Sequence, residues 1–365
     1  MKRVCHLTTV HQVFDVRIFQ KECRSLVKAG HDVSLVAVHD RDETVDGVRI
    51  LALDRPKGRW ERWRATRVQC LSRAIESNAQ VFHFHDPELI PLGLKLKKLG
   101  KTVVYDVHES HALSILDRAY LHPLVRGPMS RHLAKLEKLA DKLLDAVVAA
   151  TPKIAREFAN PKTTLVQNYP VLGELQSASQ TPFSQRERAL AYLGGVSTIR
   201  GAVEMIEALA KVPEAKLIVI GEFTPASLHE RLQQLPGWKQ VVHLGFQDRS
   251  GVAKALERCV GGVVLFHPLR NHIESQPNKL FEYMSAGLPV LASNFPYWKE
   301  IVERESCGLL ADPLDTDEIA RAMKKLVVTD LTESESMGRR GFEAVKNRYN
   351  WSVEEQKLVE LYSRL

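Results

Sequence analysis

The sequence predicts an α/β fold of two Rossmann-like, doubly wound parallel-sheet domains that face a central cleft. The chain has 365 residues, about twice the length of a typical domain, so two hydrophobic cores are expected. Short apolar runs alternate with segments of helical period, which is typical of parallel strands connected by helices. A polar stretch after residue 170 interrupts this alternation, which then resumes, so the chain divides into an N-terminal and a C-terminal domain.

The first series of apolar runs predicts an N-terminal domain over residues 1–170. Its opening run, Val4–Leu7, is a buried strand, and apolar residues then recur at helical spacing until Gly30 ends the helix. Five further strands are predicted in this domain: Val33–Val38, Val48–Leu53, Val81–Phe84, Thr102–Val107 and Ala146–Ala150. Helical patterns between these runs place helices on both faces of a parallel sheet.

The second series predicts a C-terminal domain over residues 171–350. Helices of clear period, such as Gly201–Ala210 and Asp315–Val327, separate its strands. Six strands are predicted: Ala189–Leu193, Lys216–Ile220, Val241–Leu244, Gly262–Phe266, Val290–Ala292 and Gly308–Leu310. The final helix, residues 351–365, has no strand after it.

Composition excludes several classes of protein. No stretch approaches the ~18 consecutive apolar residues of a membrane-spanning helix, and no charged-then-apolar leader follows Met1, so we expect a cytoplasmic protein. The five cysteines are widely spaced and form no CxxC pair, which argues against a zinc site or a disulfide framework. We expect them to be reduced residues of the core.

The positive charge is concentrated in the first domain. Residues 1–170 contain 28 Lys and Arg against 19 Asp and Glu, whereas residues 171–365 contain 23 against 25. This asymmetry indicates that the first domain meets an anionic partner. Nucleic acid, a phospholipid surface and a phosphate-bearing acceptor each fit the charge.

Ligands of open parallel sheets bind at the carboxyl ends of the strands. Most of the distinctive polar residues and glycines of this chain follow predicted strands: His11, His85, His108, Gly194, Gly221, Gly245 and the segment 267–282. We therefore expect one site where these strand ends face each other.

The most informative segment is 267–289, in which a loop leads from a strand into a helix that begins near Pro277. Proline suits a first helical turn because its missing N–H makes no helical bond there. A helix start offers free N–H groups and a positive dipole end to a phosphate, and Lys279 adds a cation. Glu282, one turn further on the same face, can accept two hydrogen bonds from a ribose diol, and Glu274 can do so for a second sugar.

The alternative for this segment is a surface helix with ordinary charges, which is the commoner origin of a lone Glu or Lys. Here Leu280, Phe281 and Met284 already provide the core face of the helix. The charged residues lie at the functional end of the sheet, which favours a binding role.

The spacing of Glu274 and Glu282, followed by MSAGLPVLAS, resembles the signature of retaining glycosyltransferases of the GT-B fold, family 4. The opening HQVFDVRIFQKECRSLVKAGHDV resembles the start of bacterial surface-polysaccharide members. The segments FHFHDPELIPL, VVYDVHES, LVQNYP, YLGGVSTIRG, VIGE, HLGF and RYNW resemble the family in the same order. The resemblance therefore extends through nearly the whole chain.

The resemblance implies roles for the two acids and their neighbours. Glu274 would hydrogen-bond hydroxyls of the donor sugar, helped by backbone N–H groups around Ser275 and Gln276. Glu282 would hold the ribose diol of the nucleotide. Both residues match the family pattern at the required spacing.

The resemblance also implies the remaining contacts of the donor. Arg200 and Lys279 would bind the diphosphate, and the backbone around Gly245 and Phe246 would flank the base. His108 would sit over the sugar and the leaving phosphate from the N-terminal domain. The expected catalytic residues are therefore His108, Glu274, Arg200 and Lys279. The final helix would cross back to pack on the N-terminal domain.

The chain departs from the family at two places. Gly194 and Gly195 belong to the expected donor-binding set, but many relatives have arginine where Gly195 stands, so one of two phosphate-binding cations is missing. Many relatives also have a glycine pair in the first loop, where this chain reads HQVFDVR. Asp15 or Arg17 is a candidate replacement for that loop, although Arg17 is equally compatible with a position on a helix surface.

We expect transfer without a cofactor or metal. The leaving nucleoside diphosphate gains charge as the glycosidic bond breaks, and preorganised positive groups can stabilise that charge. The turn 40–42 reads DRD and resembles the metal-binding DxD of the other glycosyltransferase fold, but a solvated loop is the favoured interpretation. His83 and His85 resemble metal ligands, yet we expect them to point to opposite faces of a strand as core or cleft histidines.

The segment Arg55–Arg67 contains six basic residues together with Trp60 and Trp63. On a helix this composition suits an anionic lipid headgroup region, whereas a solvated basic face with tryptophans folded onto the core is an equal alternative. We expect a UDP- or GDP-sugar donor and a lipid-linked or oligosaccharide acceptor in cell-surface polysaccharide assembly. Peripheral contact with an anionic membrane, at the inner face of the plasma membrane, accompanies this expectation.

Three other classes fit the sequence less well. Nucleic-acid binding is favoured by the sequence pI of about 9.1, but no aromatic-interleaved strand, zinc pattern or helix-turn-helix accompanies the charge. A sugar-nucleotide epimerase of the same architecture would isomerise the donor and transfer nothing. A non-catalytic relative that only binds nucleotide is disfavoured by the intact Glu274, Lys279 and Glu282.

Overall fold

The computed structural model describes residues 1–58, 66–116, 121–176 and 181–365. The chain forms two compact units, each an α/β structure around a sheet of mainly parallel strands. The N-terminal unit comprises Met1–Asn168 together with Val353–Leu365, and the C-terminal unit comprises Tyr169–Ser352. The predicted fold class of two doubly wound parallel-sheet domains is confirmed.

Eight strands form the sheet of the N-terminal unit within its described residues. They are β1 Arg3–Leu7, β2 Asp32–Val38, β3 Glu43–Val45, β4 Val48–Leu53, β5 Val81–Phe84, β6 Thr102–Val107, β7 Ala146–Ala149 and β8 Thr163–Leu165, in the order β3-β4-β2-β1-β5-β6-β7-β8. Every pairing is parallel except β3 with β4. The sequence pattern did not predict β3 and β8, because a run of three residues has too little periodicity.

Helices connect the strands of this sheet. The segment Ile18–Cys23 is π-helical and continues into the α-helix α1. The α-helices of this part of the chain are α1 Arg24–Lys28, α2 Arg67–Glu76, α3 Ile90–Lys98, α4 His111–Leu116, α5 Pro123–Leu143 and α6 Pro152–Glu157. A short 3-10 turn, Pro87–Leu89, precedes α3.

The sheet of the C-terminal unit has six parallel strands in the order β11-β10-β9-β12-β13-β14. The strands are β9 Ala189–Leu193, β10 Lys216–Ile220, β11 Val241–Gly245, β12 Gly261–Val264, β13 Val290–Ser293 and β14 Gly308–Ala311. The strand order reverses between β9 and β12. The carboxyl ends of these two strands therefore form the crevice in which such sheets bind ligands.

The α-helices that follow the strands of this unit are α7 Ala202–Leu209, α8 Ala226–Gln233, α9 Arg249–Glu257, α10 Arg270–Ile273, α11 Asn278–Ser285, α12 Pro296–Glu305, α13 Thr316–Lys324 and α14 Leu331–Asn347. Three 3-10 turns, Phe183–Gln185, Thr198–Arg200 and Pro236–Gln240, and the π-helical Lys325–Thr329 complete the elements. Most predicted strands and helices of this unit are observed within one or two residues of their predicted ends.

The final helix, α15 Trp351–Arg364, packs on the N-terminal unit, as the resemblance implied. The hydroxyl of Tyr362 lies 2.9 Å from Nδ1 of His83, and Lys2 donates to the carbonyl of Tyr362 at 2.6 Å. Oε2 of Glu354 accepts the backbone N–H of Gln167 at 2.8 Å. The helix therefore closes a polar part of that core.

The described residues contain no helix that is both long and apolar enough to cross a membrane. The five cysteines are all buried and free of disulfide bonds, which agrees with their expected place in the core.

Two glycines allow the chain to pass close to neighbouring backbone at the crevice. Gly201 has φ +72°, and a Cβ atom there would lie 2.1 Å from the carbonyl oxygen of Leu265. At Gly221, with φ +146°, a Cβ atom would lie 2.3 Å from the carbonyl oxygen of Gly194. Neither position has room for a side chain, so the turn between Thr198–Arg200 and α7 and the turn at the end of β10 both depend on glycine.

Gly201→Ala should destabilise the protein more than Gly287→Ala. Both residues have positive φ, at +72° and +70°, but a Cβ atom at Gly287 meets nothing within 4 Å. Both variants carry the conformational cost of about 1–2 kcal/mol, and the clash with Leu265 adds about 1–3 kcal/mol to the first. Urea unfolding followed by tryptophan fluorescence measures the difference. Equal midpoints would contradict the close approach.

Candidate functional site

The segment predicted to bind phosphate begins after β12 and ends in α11. Pro277 occupies the N-cap position of α11 in an extended conformation, and the helix ends at Ser285, close to the predicted bounds. The apolar side chains of Leu280, Phe281 and Met284 are buried against the unit's core. Because these residues set the rotation of the helix, Lys279 also lies on its buried side.

Lys279 is 8% exposed, and its Nζ has no hydrogen-bond partner among the described residues. Its ammonium group lies 3.8 Å from the ring centroid of Tyr192 at the end of β9 and 5.4 Å from that of Phe266. Burial, aided by the nearby Arg200, lowers the pKa of Lys279 well below its ordinary value. Aromatic faces stabilise a cation without neutralising it, so this amine remains available to an anion.

Arg200 lies beside Lys279 on the 3-10 turn that follows β9. Its Nη1 donates to the carbonyl of Gly195 at 3.0 Å, and its guanidinium lies 5.6 Å from the ring centroid of Phe266. A Cβ atom at Gly195 would lie 3.2 Å from that Nη1, so the glycine found in place of the family's arginine gives Arg200 room. Two cations therefore share one aromatic ring at the strand-order reversal.

Glu282 takes part in an ion triad that the sequence analysis did not predict. Its Oε1 accepts from Nη1 of Arg249 at 2.7 Å, and Arg249 makes a bidentate pair with Glu174 at 2.7 Å for each bond. The two carboxylates raise the pKa of Arg249 above its ordinary value, although burial opposes them. The triad holds the carboxylate of Glu282 in one orientation.

The loop that carries Glu274 is held by its neighbours. Glu274 itself is exposed at the end of α10. The N–H of Ser275 donates to the carbonyl of His272 at 3.1 Å, and the carbonyl of Ser275 accepts from Trp298 at 2.7 Å. Oε1 of Gln276 accepts from the hydroxyl of Tyr297 at 3.0 Å. The expected sugar contact of Glu274 and the backbone contacts of Ser275 and Gln276 stay predictions.

The residues expected at the base lie at the end of the edge strand β11. Gly245 has φ +66°, and Phe246 is 81% exposed, which is unusual for a large apolar side chain. The N–H of Phe246 donates to Oε1 of Glu222 at 3.0 Å. Gly194, with φ +83°, lies at the end of β9, two strands away from β11.

Arg17 lies at the centre of a buried polar cluster in the N-terminal unit. Its Nε and Nη2 donate to Asp106 at 2.9 and 2.8 Å, and its Nη1 donates to the carbonyl of Val166 at 2.9 Å. Glu22 lies 3.0 Å from the same Nε. Arg17 is 4% exposed, so the alternative of a helix-surface position is wrong. All three guanidinium nitrogens donate hydrogen bonds within this cluster. The expected contact of Arg17 with a donor phosphate stays a prediction.

Asp15 acts locally as a capping residue. Its Oδ1 accepts the backbone N–H groups of Arg17 and Ile18 at 2.8 and 2.9 Å. Its other oxygen lies 3.7 Å from Nδ1 of His11. Although burial opposes the effect, His11 and the two backbone N–H groups hold the pKa of Asp15 well below its ordinary value. The expected role of Asp15 in donor binding stays a prediction.

His108 follows β6, and 16% of its side chain is exposed. Its Nε2 lies 2.8 Å from Oδ2 of Asp106. Burial lowers the pKa of His108 to about 4, and Asp106 opposes this effect only in part. The ring is therefore neutral at physiological pH. Its centroid lies 4.9 Å from that of His11, so both histidines lie at the carboxyl edge of the sheet.

The expectation that His83 and His85 point to opposite faces is wrong. Their rings stack with centroids 4.9 Å apart, and both side chains are fully buried. Successive side chains of a strand alternate between faces, so residues two positions apart share one face. The expectation that they are core histidines agrees with their burial.

Four buried groups of this cluster have the spacing of a metal site. Glu22, His83, His85 and Asp106 each offer a ligand atom within 4.8 Å of the others. Arg17 lies in the same cluster, bonded to one carboxylate and 3.0 Å from the other. A metal ion here would lie beside a fixed like charge, so Arg17 is the cation that the cluster accommodates.

The DRD turn of residues 40–42 is held by contacts within its own unit. Asp42 of the DRD turn forms an ion pair with Arg73, and its Oδ1 accepts the N–H of Ala52 at 2.8 Å. These contacts tie the turn to its own unit. The basic segment Arg55–Arg67 lies mostly within residues 59–65, outside the described residues.

Family models match both units of the chain. The model described as Glycosyltransferase Family 4 matches residues 16–168, and the model described as Glycosyl transferases group 1 matches residues 176–343. Over 357 residues the chain is 24% identical to phosphatidyl-myo-inositol mannosyltransferase of Mycolicibacterium smegmatis, covering 92% of this chain and 86% of that protein. The protein of the same name from Mycobacterium leprae is 21% identical, covering 79% and 74%.

Solved structures share the fold over the full length. Sucrose-phosphate synthase from Thermosynechococcus elongatus superposes with a TM-score of 0.81 at 17% identity, covering 100% of this chain and 99% of that one. HepE of Anabaena, crystallised in complex with UDP-glucose, superposes with a TM-score of 0.76 at 15% identity, covering 100% of both chains. At these identities the likeness concerns the fold.

Three residues of the site were missed by the sequence analysis. Asp106 lies two positions before His108, and strand alternation places both on one face, which was an available signal. Tyr192 lies near the end of β9, where a site-facing side chain was to be expected. Arg249 had no such signal, because its partners Glu174 and Glu282 are 75 and 33 residues away in sequence.

Arg17→Met should strongly destabilise the protein. The substitution leaves the carboxylates of Asp106 and Glu22 buried without their cation, which costs on the order of 3–5 kcal/mol. The matched control is Arg41→Met, because Arg41 is 78% exposed and its ion pair with Glu43 lies at the surface, where such pairs add little stability. Urea unfolding compares the two variants with the parent. A stability change equal to that of the control would contradict the buried network.

Proposed function

The chain is a GT-B-fold glycosyltransferase of family 4 that uses a nucleotide sugar, and on this premise we propose its reaction in more detail. It transfers the sugar of a UDP- or GDP-sugar with retention of anomeric configuration and without a metal ion. The acceptor is a lipid-linked saccharide of cell-surface polysaccharide assembly. The catalytic groups are Lys279, Arg200, Glu274 and His108.

The observation that carries this proposal is the buried ammonium group of Lys279, which has no hydrogen-bond partner among the described residues. An unpaired buried cation is costly unless an anion binds to it. Arg200 adds a second cation at the same crevice, and the N-terminus of the eight-residue helix α11 adds a positive dipole end. A diphosphate matches both the charge and the place of this subsite.

The same groups supply the catalytic effect. As the bond between sugar and diphosphate breaks, negative charge develops on the leaving phosphate. Lys279 and Arg200 are held in place before the reaction begins, by the rings of Tyr192 and Phe266 and by the carbonyl of Gly195. The diphosphate is already a good leaving group, so a general acid is unnecessary. The proposal of retention rests on the resemblance to the family and not on this geometry.

The remaining donor contacts follow from the two acids. Arg249 fixes the carboxylate of Glu282 through Oε1, so that the carboxylate can accept hydrogen bonds from the ribose diol. Glu274, exposed at the end of α10, hydrogen-bonds hydroxyls of the donor sugar in this proposal. The exposed ring of Phe246 provides an apolar face for the base.

A transfer without metal is supported by the source of the positive charge. At the diphosphate subsite this charge comes from Lys279, Arg200 and a helix start, all within the chain. In the N-terminal unit, the buried carboxylate of Asp106 is paired with Arg17.

A lipid-linked acceptor is supported by one surface of the N-terminal unit and by the name of the relatives, which specifies a phosphatidyl-inositol. At 3.6 residues per turn, the exposed side chains of α5 form an apolar stripe beside a basic stripe. The apolar stripe is Val125, Met129, Leu139 and Leu143, each 41–44% exposed, and the basic stripe is Arg131, Lys135, Lys138 and Lys142. Such a helix suits the surface of an anionic membrane.

A sugar-nucleotide epimerase of the same architecture is the alternative from another reaction class. An epimerase would change the donor without releasing a nucleoside diphosphate. Coupled detection of free diphosphate and of sugar on the acceptor separates the two reactions. Screening UDP- and GDP-sugars by thermal shift identifies the donor for that assay.

Lys279→Ala and Arg200→Ala should each lower the turnover of sugar transfer by about tenfold to a thousandfold, because each removes a preorganised cation from the leaving group. The matched control is Lys299→Ala, since Lys299 belongs to the same unit and is 54% exposed. Steady-state release of nucleoside diphosphate measures the effect. Transfer at the parental rate in both Lys279 and Arg200 variants would rule out the subsite.

The triple variant Lys135→Glu, Lys138→Glu and Lys142→Glu should lose at least about tenfold in membrane affinity, because each basic residue near an anionic surface contributes about 1 kcal/mol. Flotation with vesicles containing anionic lipid measures this affinity. The control triple variant reverses three exposed lysines of the C-terminal unit, Lys299, Lys324 and Lys325. Parental flotation that is indifferent to anionic lipid would remove membrane contact from the proposal.

A further inference from the structure

Asp106 accepts four N–H groups in the buried cluster of the N-terminal unit. Arg17 donates through Nε and Nη2 at 2.9 and 2.8 Å, and Nε2 of His108 and Nδ1 of His85 lie 2.8 and 3.0 Å from Oδ2. Although burial opposes them, Arg17 and His108 hold the pKa of Asp106 well below its ordinary range. Asp106 is therefore an ionised carboxylate, which can only accept hydrogen bonds.

This charge state determines the tautomers of the two histidines. Because Asp106 cannot donate, His85 must carry its proton on Nδ1 and His108 must carry its proton on Nε2. The two nitrogens lie 3.3 Å apart, which is the contact of two donors that share one acceptor oxygen. The remaining nitrogen of His85, Nε2, lies 2.9 Å from Nδ1 of His6, which donates to it.

The consequence for His108 is a lone pair on Nδ1. The ring is neutral, since burial lowers its pKa to about 4, and one of its two nitrogens already carries the proton. Among the described residues, Nδ1 makes no hydrogen bond, and part of the side chain is exposed. His108 therefore offers one hydrogen-bond acceptor at the carboxyl edge of the sheet.

We propose that Asp106 is a positioning residue, which holds His108 in the Nε2–H tautomer so that its Nδ1 accepts a hydrogen bond from a hydroxyl of the bound saccharide. This inference rests on the proposed function, since it names the atom through which His108 meets its substrate. Arg17 keeps the carboxylate of Asp106 ionised and in place, so it supports the same tautomer from behind.

The role of His108 is recognition of a hydroxyl and not removal of its proton. An imidazole with a pKa of about 4 is a weak base at neutral pH and would take a proton in only a small fraction of encounters. A neutral acceptor, in contrast, discriminates between a hydroxyl in the right position and one that is absent, because an unmade hydrogen bond in a partly buried site is costly.

The first experiment determines the tautomer directly in the full-length parental protein. Histidine side chains are labelled with 15N, and two-bond proton–nitrogen correlation spectra are recorded between pH 6 and 8, with His108 assigned from the spectrum of His108→Asn. We expect a protonated Nε2 and an unprotonated Nδ1. A proton on Nδ1 would overturn the proposal.

The second experiment identifies the atom that contacts substrate. In His108→Asn the amide oxygen can occupy the position of Nδ1, whereas in His108→Gln the amide reaches the position of Nε2. The asparagine variant should retain about tenfold more kcat/KM than the glutamine variant, because only it preserves the acceptor that faces the saccharide. Equal values, or the opposite order, would overturn the proposal.

Asp106→Asn tests the positioning role. Its carboxamide can donate to the ring of His108, which would move the imidazole proton to Nδ1 and leave a donor where the substrate hydroxyl needs an acceptor. We expect the altered tautomer in the spectrum together with a loss of about tenfold in kcat/KM. An unchanged tautomer at parental activity would overturn the role of Asp106. If the variant does not fold, the parental spectrum and the His108 pair still decide the matter.

These measurements separate the inference from the function on which it rests. The spectra require no substrate, and nucleotide binding to the Lys279 variants does not involve His108. Absence of transfer with every donor would refute the proposed function and with it the substrate contact. Transfer in the parent with the reverse order of the two His108 variants would refute only this inference.

Discussion

The proposed donor subsite depends on one constraint, which is that the amine of Lys279 is buried without a hydrogen-bond partner among the described residues. The rings of Tyr192 and Phe266 attract the cation but carry no negative charge, so they hold it in place without satisfying it. Burial lowers its pKa, and a bound anion would raise that pKa again. Under the proposed function, diphosphate binding and protonation of this lysine would favour each other.

In the N-terminal unit, in contrast, the buried cation Arg17 is paired with a carboxylate. Arg17 is bonded to Asp106 and to a backbone carbonyl, and its Nε lies 3.0 Å from Glu22. The pair of Arg17 and Asp106 is rigid, because breaking it would leave a charge unpaired in a medium of low polarity. Because Asp106 is held by Arg17, it also holds the ring of His108, which is the partly exposed member of the cluster. One unit thus holds a buried amine that has no hydrogen-bond partner among the described residues, and the other holds a neutral histidine that a carboxylate keeps in place.

The course of the chain was largely predictable, because hydrophobic periodicity depends on neighbouring residues. Runs such as Thr102–Val107 and Ala189–Leu193 were predicted at the bounds that the structure shows. The exceptions are elements in which local pattern is short or misapplied. The strands β3 and β8 have three residues each, and β3 pairs antiparallel with its neighbour at the edge of an otherwise parallel sheet. The prediction that His83 and His85 point to opposite faces was wrong, because alternation separates adjacent residues and these two are two positions apart.

The sequence by itself determined the fold class, the helix start at Pro277 and the identity of the charged residues near it, since these depend on local spacing and on motifs that resemble a family. The tertiary structure decided which charges are paired. Arg17 finds Asp106 across 89 residues and Arg249 finds Glu174 across 75, and no local pattern encodes such partners. The tertiary structure also decided that Nζ of Lys279 has no hydrogen-bond partner among the described residues. Burial and pairing arise only when distant segments pack together, because they depend on what surrounds a charge in space.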